Sequence, residues 1–123
     1  MQFLTPRKRA DGLGAAHSGT HHHWQMQVTG MALALLVPFF LLTFGRILGA
    51  PYEEVVAYYS RPFPAVVAGL TVVVGLLHFA AGAQMAIEDY AHGVTRKALV
   101  VATQFLSYAA AAVALFALVR LAL

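Results

Sequence analysis

The sequence predicts an all-α membrane protein with three transmembrane helices. Two observations predict it. The 123-residue chain is 60% hydrophobic and only 11% charged, where a soluble domain carries about 25% charged residues. The few charges are also clumped. After Arg7, Lys8, Arg9 and Asp11 nothing charged appears until Arg46, and two further gaps run from Arg61 to Glu88 and from Lys97 to Arg120. Each gap can hold the roughly 20 apolar residues that cross a hydrocarbon core about 30 Å thick.

The elements follow in order. Residues 1–24 are a polar tail, and residues 25–123 a membrane domain. The first helix is expected near Gln25–Leu48, with a kink or a loosened ladder at Pro38. The basic start and the late, long apolar run do not fit a signal peptide. Gly49–Pro64 joins the first two helices, and its prolines bracket Tyr52–Tyr59, long enough for two helical turns. Tyr52, Tyr58, Tyr59 and Phe63 suit the membrane–water interface, where rings with polar tips collect. The second helix is expected near Ala65–Ile87. Glu88–Lys97 is a short connection turning at Gly93, and the third helix is expected near Ala98–Val119.

Lysine and arginine placement orients the chain. The tail (Arg7, Lys8, Arg9) and the second connection (Arg96, Lys97) outweigh Arg46, Arg61 and Arg120. That bias predicts a cytoplasmic N-terminus and a C-terminus outside. It puts Glu88, Asp89, Tyr90 and His21-His22-His23 on the cytoplasmic side. The chain has no cysteine, so disulfides and cysteine-bound metal or iron–sulfur sites are excluded. The basic residues flank spans, so nucleic acid is not the expected partner. Three helices in 123 residues leave no room for a soluble domain, so sizeable catalytic machinery must come from partners.

His78 lies inside the uncharged run Pro62–Ile87. An ionisable group in a membrane-length segment is expensive and reads as functional by default. Neutral imidazole is also a common iron ligand. At 100° per residue, Thr71, Gly75, His78, Gly82, Met85 and Asp89 fall within about 80° of one another. Small residues around a ligand let a bulky planar group approach the backbone; they equally let another helix approach. The stripe is therefore a cofactor cradle or a packing seam whose histidine bonds a neighbour. A low-spin haem needs two axial ligands. Met85 lies two turns from His78 on the same face and cannot be the second. Met31 or another polypeptide must supply it, and the other polypeptide is favoured because three short helices are too few to enclose a haem.

The remaining polar residues carry weaker signals. His21-His22-His23-Trp24 suits the head groups or reaches toward an anionic cofactor group, with a metal site as the sharper alternative. Gln25, Gln27 and Thr29 bond across helices or face a ligand. Thr103, Gln104 and Ser107 mark helix–helix hydrogen bonds.

The string LHFAAGAQMAIEDY, from Leu77 to Tyr90, resembles the second helix of the hydrophobic membrane anchor family of succinate dehydrogenase (complex II). The family pattern is a mid-helix histidine, a glycine four residues on, and an Asp-Tyr pair eleven and twelve residues on. His78, Gly82, Asp89 and Tyr90 match it. The entry Gly19–Trp24 (GTHHHW) is similar to the family's alphaproteobacterial members. The resemblance implies a helix bundle shared with a second anchor, the cytochrome b556 subunit, with one haem b between them. His78 would be one axial ligand to the haem iron, with Gly75 and Gly82 packing on the haem. The pair would anchor an iron–sulfur subunit and a flavoprotein subunit at the bacterial inner membrane, N-terminus cytoplasmic and C-terminus periplasmic. Electrons from succinate would reach ubiquinone, whose carbonyl oxygen Tyr90 would hydrogen-bond while Asp89 orders the site. Some members carry an arginine where this chain has Gln27, so propionate neutralisation would fall to the partner or to His21–His23. A fumarate reductase anchor and a haem-free structural subunit remain as alternatives.

Overall fold

A computed structural model describes residues 5–7 and 19–123. Lys8, Arg9, Asp11 and most of the expected tail lie outside the described residues. Four helices are described: α1 (Gly19–Gly45), α2 (Tyr52–Tyr59), α3 (Pro62–Tyr90) and α4 (Gly93–Ala122). α1, α3 and α4 are each long and apolar enough to cross a membrane. The all-α, three-span expectation therefore holds.

The spans overshoot the apolar runs. α1, α3 and α4 contain 27, 29 and 30 residues. At 1.5 Å per residue a helix of about 28 residues runs roughly 42 Å, well past a hydrocarbon core of about 30 Å. α1 begins at Gly19 rather than Gln25, so His21–Trp24 belong to the helix. Arg96 and Lys97 lie in the first turn and a half of α4 rather than in a loop. Near the bilayer, each backbone N–H and C=O is satisfied most cheaply within its own helix. Winding therefore continues after the side chains turn polar. At the other end α1 stops at Gly45, three residues early, and Gly49 takes φ +81°, a left-handed turn suited to glycine.

The ends have local causes. α3 opens with Pro62 in its first turn, where the missing N–H has no intrahelical partner to lose. It ends where Ala91 and His92 become extended. Those two residues are the whole connection to α4, whose first residue, Gly93, has φ +62°. α2 carries Glu53 and Glu54 in its first turn, where carboxylates favour the helix dipole. α1 runs on through Pro38 without a break.

α3 is the centre of the fold. It packs on both α1 and α4, while those two make no close backbone approach to each other; α2 rests on the ends of α3 and α4. The buried residues are mostly small: Ala68, Ala80 and Ala81 on α3, and Ser107 on α4. A Cβ on Gly69 would sit 3.6 Å from Leu115. Large apolar side chains such as Leu35, Leu42, Phe105 and Phe116 point outward. In lipid there is no gain in hiding them, so close van der Waals contact between small residues drives helix association. Tyr59 departs from the interfacial expectation. It is buried, edge-on to Tyr58, whereas Tyr52 and Phe63 are exposed as expected. Burial pushes the Tyr59 phenol above its ordinary pKa, and neighbouring Tyr58 adds to the rise.

Candidate functional site

His78 is half-buried in the seam between α1 and α3. Its Nδ1 lies 2.8 Å from Oγ1 of Thr29 on α1. That hydroxyl also lies 2.8 Å from the backbone oxygen of Gln25 and 3.2 Å from that of Met26. A carbonyl oxygen can only accept, so the single hydroxyl proton points back into α1. A hydroxyl that donates into α1 accepts from His78, and so pairs with the imidazole tautomer protonated at Nδ1. Nε2 has no hydrogen bond among the described residues, and in that tautomer it carries the lone pair. That tautomer, held by a hydrogen bond at the other nitrogen, is the form in which histidine binds a metal.

The stripe of small residues faces α1. A Cβ on Gly75 would sit 3.9 Å from Leu33, one on Gly82 3.6 Å from Met26, and one on Gly30 3.5 Å from Cε1 of His78. The packing-seam reading of the stripe is thus realised within this chain. Thr71, on the same stripe, satisfies itself on the backbone of Val67. These contacts fix an antiparallel register in which Met26 meets Gly82, Gly30 meets His78 and Leu33 meets Gly75.

Asp89 and Tyr90 lie at the free end of α3. Tyr90 is 88% exposed, and its hydroxyl has no partner among the described residues. Asp89 is exposed on the His78 stripe. Twelve residues at 1.5 Å per residue separate Tyr90 from His78 by roughly 18 Å along the axis. Glu88, one residue before Asp89, accepts a hydrogen bond from Gln84 at 2.9 Å, and Gln84 accepts one from Gln104 on α4 at 3.1 Å. Gln104 thus makes the interhelical bond expected of it. Among the described residues no three His, Cys, Asp or Glu side chains converge, so the histidine run forms no metal cluster with them.

The chain matches, over residues 1–119, the family described as succinate dehydrogenase/fumarate reductase transmembrane subunit. It belongs to that family. It is also 45% identical, over 123 residues, to a protein of Paracoccus denitrificans named succinate dehydrogenase hydrophobic membrane anchor subunit, covering 100% of this chain and 95% of that one. No solved structure matches. In this member of the transmembrane-subunit family, Thr29 is the residue that sequence reasoning did not connect to His78. The signal that could have found it was helical spacing, because His22, Gln25, Met26 and Thr29 fall at i, i+3, i+4 and i+7 on one face of α1.

Proposed function

We propose that this chain anchors a succinate dehydrogenase at the bacterial inner membrane, supplies one axial ligand to a haem b, and forms one wall of a ubiquinone site. Membership of the transmembrane-subunit family supports the anchor role. The observation that carries the haem reading is the Thr29–His78 hydrogen bond at Nδ1, which leaves Nε2 without a partner among the described residues and available as an iron ligand in the Nδ1–H tautomer. The donor chemistry fits one side of a haem iron. The other axial ligand would come from the cytochrome b556 subunit, because three short helices are too few to enclose a haem. Gly75 and Gly82 would keep their side of α3 free of bulk, with Leu33 and Met26 as the flexible groups that yield. When bound, the haem supplies a one-electron store between the electron-delivering subunits and the quinone. The iron–sulfur and flavoprotein subunits would dock at the Tyr90 end, which charge bias makes cytoplasmic.

At that end Tyr90 offers a neutral phenol donor. A neutral donor stabilises charge growing on a quinone oxygen without placing a fixed charge beside the membrane. Asp89 would order the site. The reduced-minus-oxidised visible spectrum of the purified complex tests the haem reading: a b-type α band is expected, and its absence returns His78 to a packing role.

Two further outcomes are expected of this arrangement. Reporter tags on the N- and C-termini should read cytoplasm and periplasm respectively, and finding both on one side would remove the three-span topology. Thr29→Val strips the hydroxyl and leaves Nδ1–H of His78 unpaired. Loss of one interhelical hydrogen bond in a membrane costs about 0.6 kcal/mol, up to about 1.7. Removing a ligand's hydrogen-bond partner weakens metal binding by about 10–100-fold. Haem retention under dilution in detergent should fall accordingly, and Thr29→Ser should restore it.

A further inference from the structure

A polar pocket lies where α1 and α4 fail to meet. It has a volume of about 110 Å³ and is lined by Leu77, Ala80, Ala81 and Gln84 of α3, His22 and Gln25 of α1, and Gln104 and Tyr108 of α4. Nε2 of His22 is buried and has no hydrogen-bond partner among the described residues. An unmatched buried polar atom is costly. Cavities lined by apolar groups stay dry, whereas polar ones large enough for a water, at about 30 Å³ each, hold it when two to four partners are in reach. This pocket has room for about three, and it offers imidazole, amide and phenol groups. The Gln104–Gln84–Glu88 hydrogen-bond chain leads from it to the exposed carboxylate at the end of α3. The register that pairs Met26 with Gly82 sets His22 opposite Ala86, one turn inside Asp89.

We propose that this pocket is a water site through which His22 takes up and passes on a proton. The destination rests on the quinone reading above: reduction of ubiquinone to ubiquinol consumes two electrons, delivered from succinate, and two protons. In the relay, an O–H bond of a pocket water breaks as its proton moves to Nε2 of His22. That water is restored by a proton from the next water toward Glu88 and the bulk. The imidazolium releases the proton on its other ring nitrogen, the new O–H bond forms on the quinone oxygen, and a flip of the ring restores an acceptor nitrogen to the pocket before the second proton passes. The glutamine amides orient the waters, and Glu88 and Tyr108 are the other titratable groups that the network and pocket bring near.

The test uses the intact complex. A cryo-EM map at water resolution should show ordered solvent between His22, Gln84 and Gln104. His22→Gln keeps a hydrogen-bonding side chain but cannot carry a proton between two ring nitrogens. Ala81→Leu fills the pocket while leaving the His22 side chain itself unchanged. Each should slow ubiquinone reduction by about tenfold, since bulk water still reaches the site more slowly, and raise the solvent isotope effect. Succinate oxidation by a dye that accepts electrons upstream should be unchanged in both. A dry pocket, or one filled by a protein side chain, overturns the water site. Ordered water together with wild-type rates and isotope effects in both variants overturns the relay. The solvent density is read independently of the quinone assignment, whose own failure would show in Tyr90→Phe.

Discussion

Replacing Tyr90 by phenylalanine is expected to slow ubiquinone reduction roughly 100-fold. The substitution keeps the ring and removes one donor. A hydrogen bond to an oxygen that gains charge in the transition state is worth a few kcal/mol, and each 1.4 kcal/mol is about tenfold in rate. The side chain is exposed and holds no partner among the described residues, so the change disturbs no packing within the chain. Succinate oxidation with an upstream dye should therefore survive, and binding of inhibitors that compete with ubiquinone should weaken in parallel. Wild-type ubiquinone reduction and inhibitor binding in Tyr90→Phe would reduce Tyr90 to an interfacial anchor.

The second large effect concerns His78. On the proposed ligation, His78→Leu should abolish a bis-histidine spectrum of the complex, because it removes one of the two proposed axial ligands. The helix pair itself should persist. Thr29 already donates its proton to the backbone of Gln25, so losing the imidazole strands no hydroxyl, and leucine suits an apolar seam. Haem loss with an assembled complex is thus separable from misfolding by checking that all subunits co-purify. Quinone reduction need not collapse with it, since Tyr90 stands roughly 18 Å along the axis from His78. An unchanged spectrum in His78→Leu would sink the ligand assignment.

The spans were legible because charge is costly in hydrocarbon and its gaps mark the crossings. Their ends were not. His21–Trp24 and Arg96-Lys97 read as flanking loops by polarity, yet backbone hydrogen bonding carries the helices through them. His78 stood out from the sequence because it is alone in an apolar run. Its partner Thr29 lies 49 residues away, and interhelical register leaves no local trace. The glycine stripe was readable as a stripe, but sequence alone could not choose between a cofactor and a helix as its neighbour. Side chains of α1 stand over Gly75 and Gly82. The histidine run was read as an interfacial cluster, whereas helical winding gives its middle member a buried nitrogen of its own.

The two-residue connection between α3 and α4 bears on how the chain is made. Helices joined so tightly can enter the bilayer as one hairpin, with α3 and α4 already packed on each other. α1 is synthesised earlier and waits alone in lipid, with Thr29 bonded to its own backbone. The imidazole of His78 finds that hydroxyl only in one register, which favours capture of the arriving hairpin where Thr29 meets His78. Biogenesis would then be ordered, with the Thr29–His78 hydrogen bond formed only when the hairpin docks on α1.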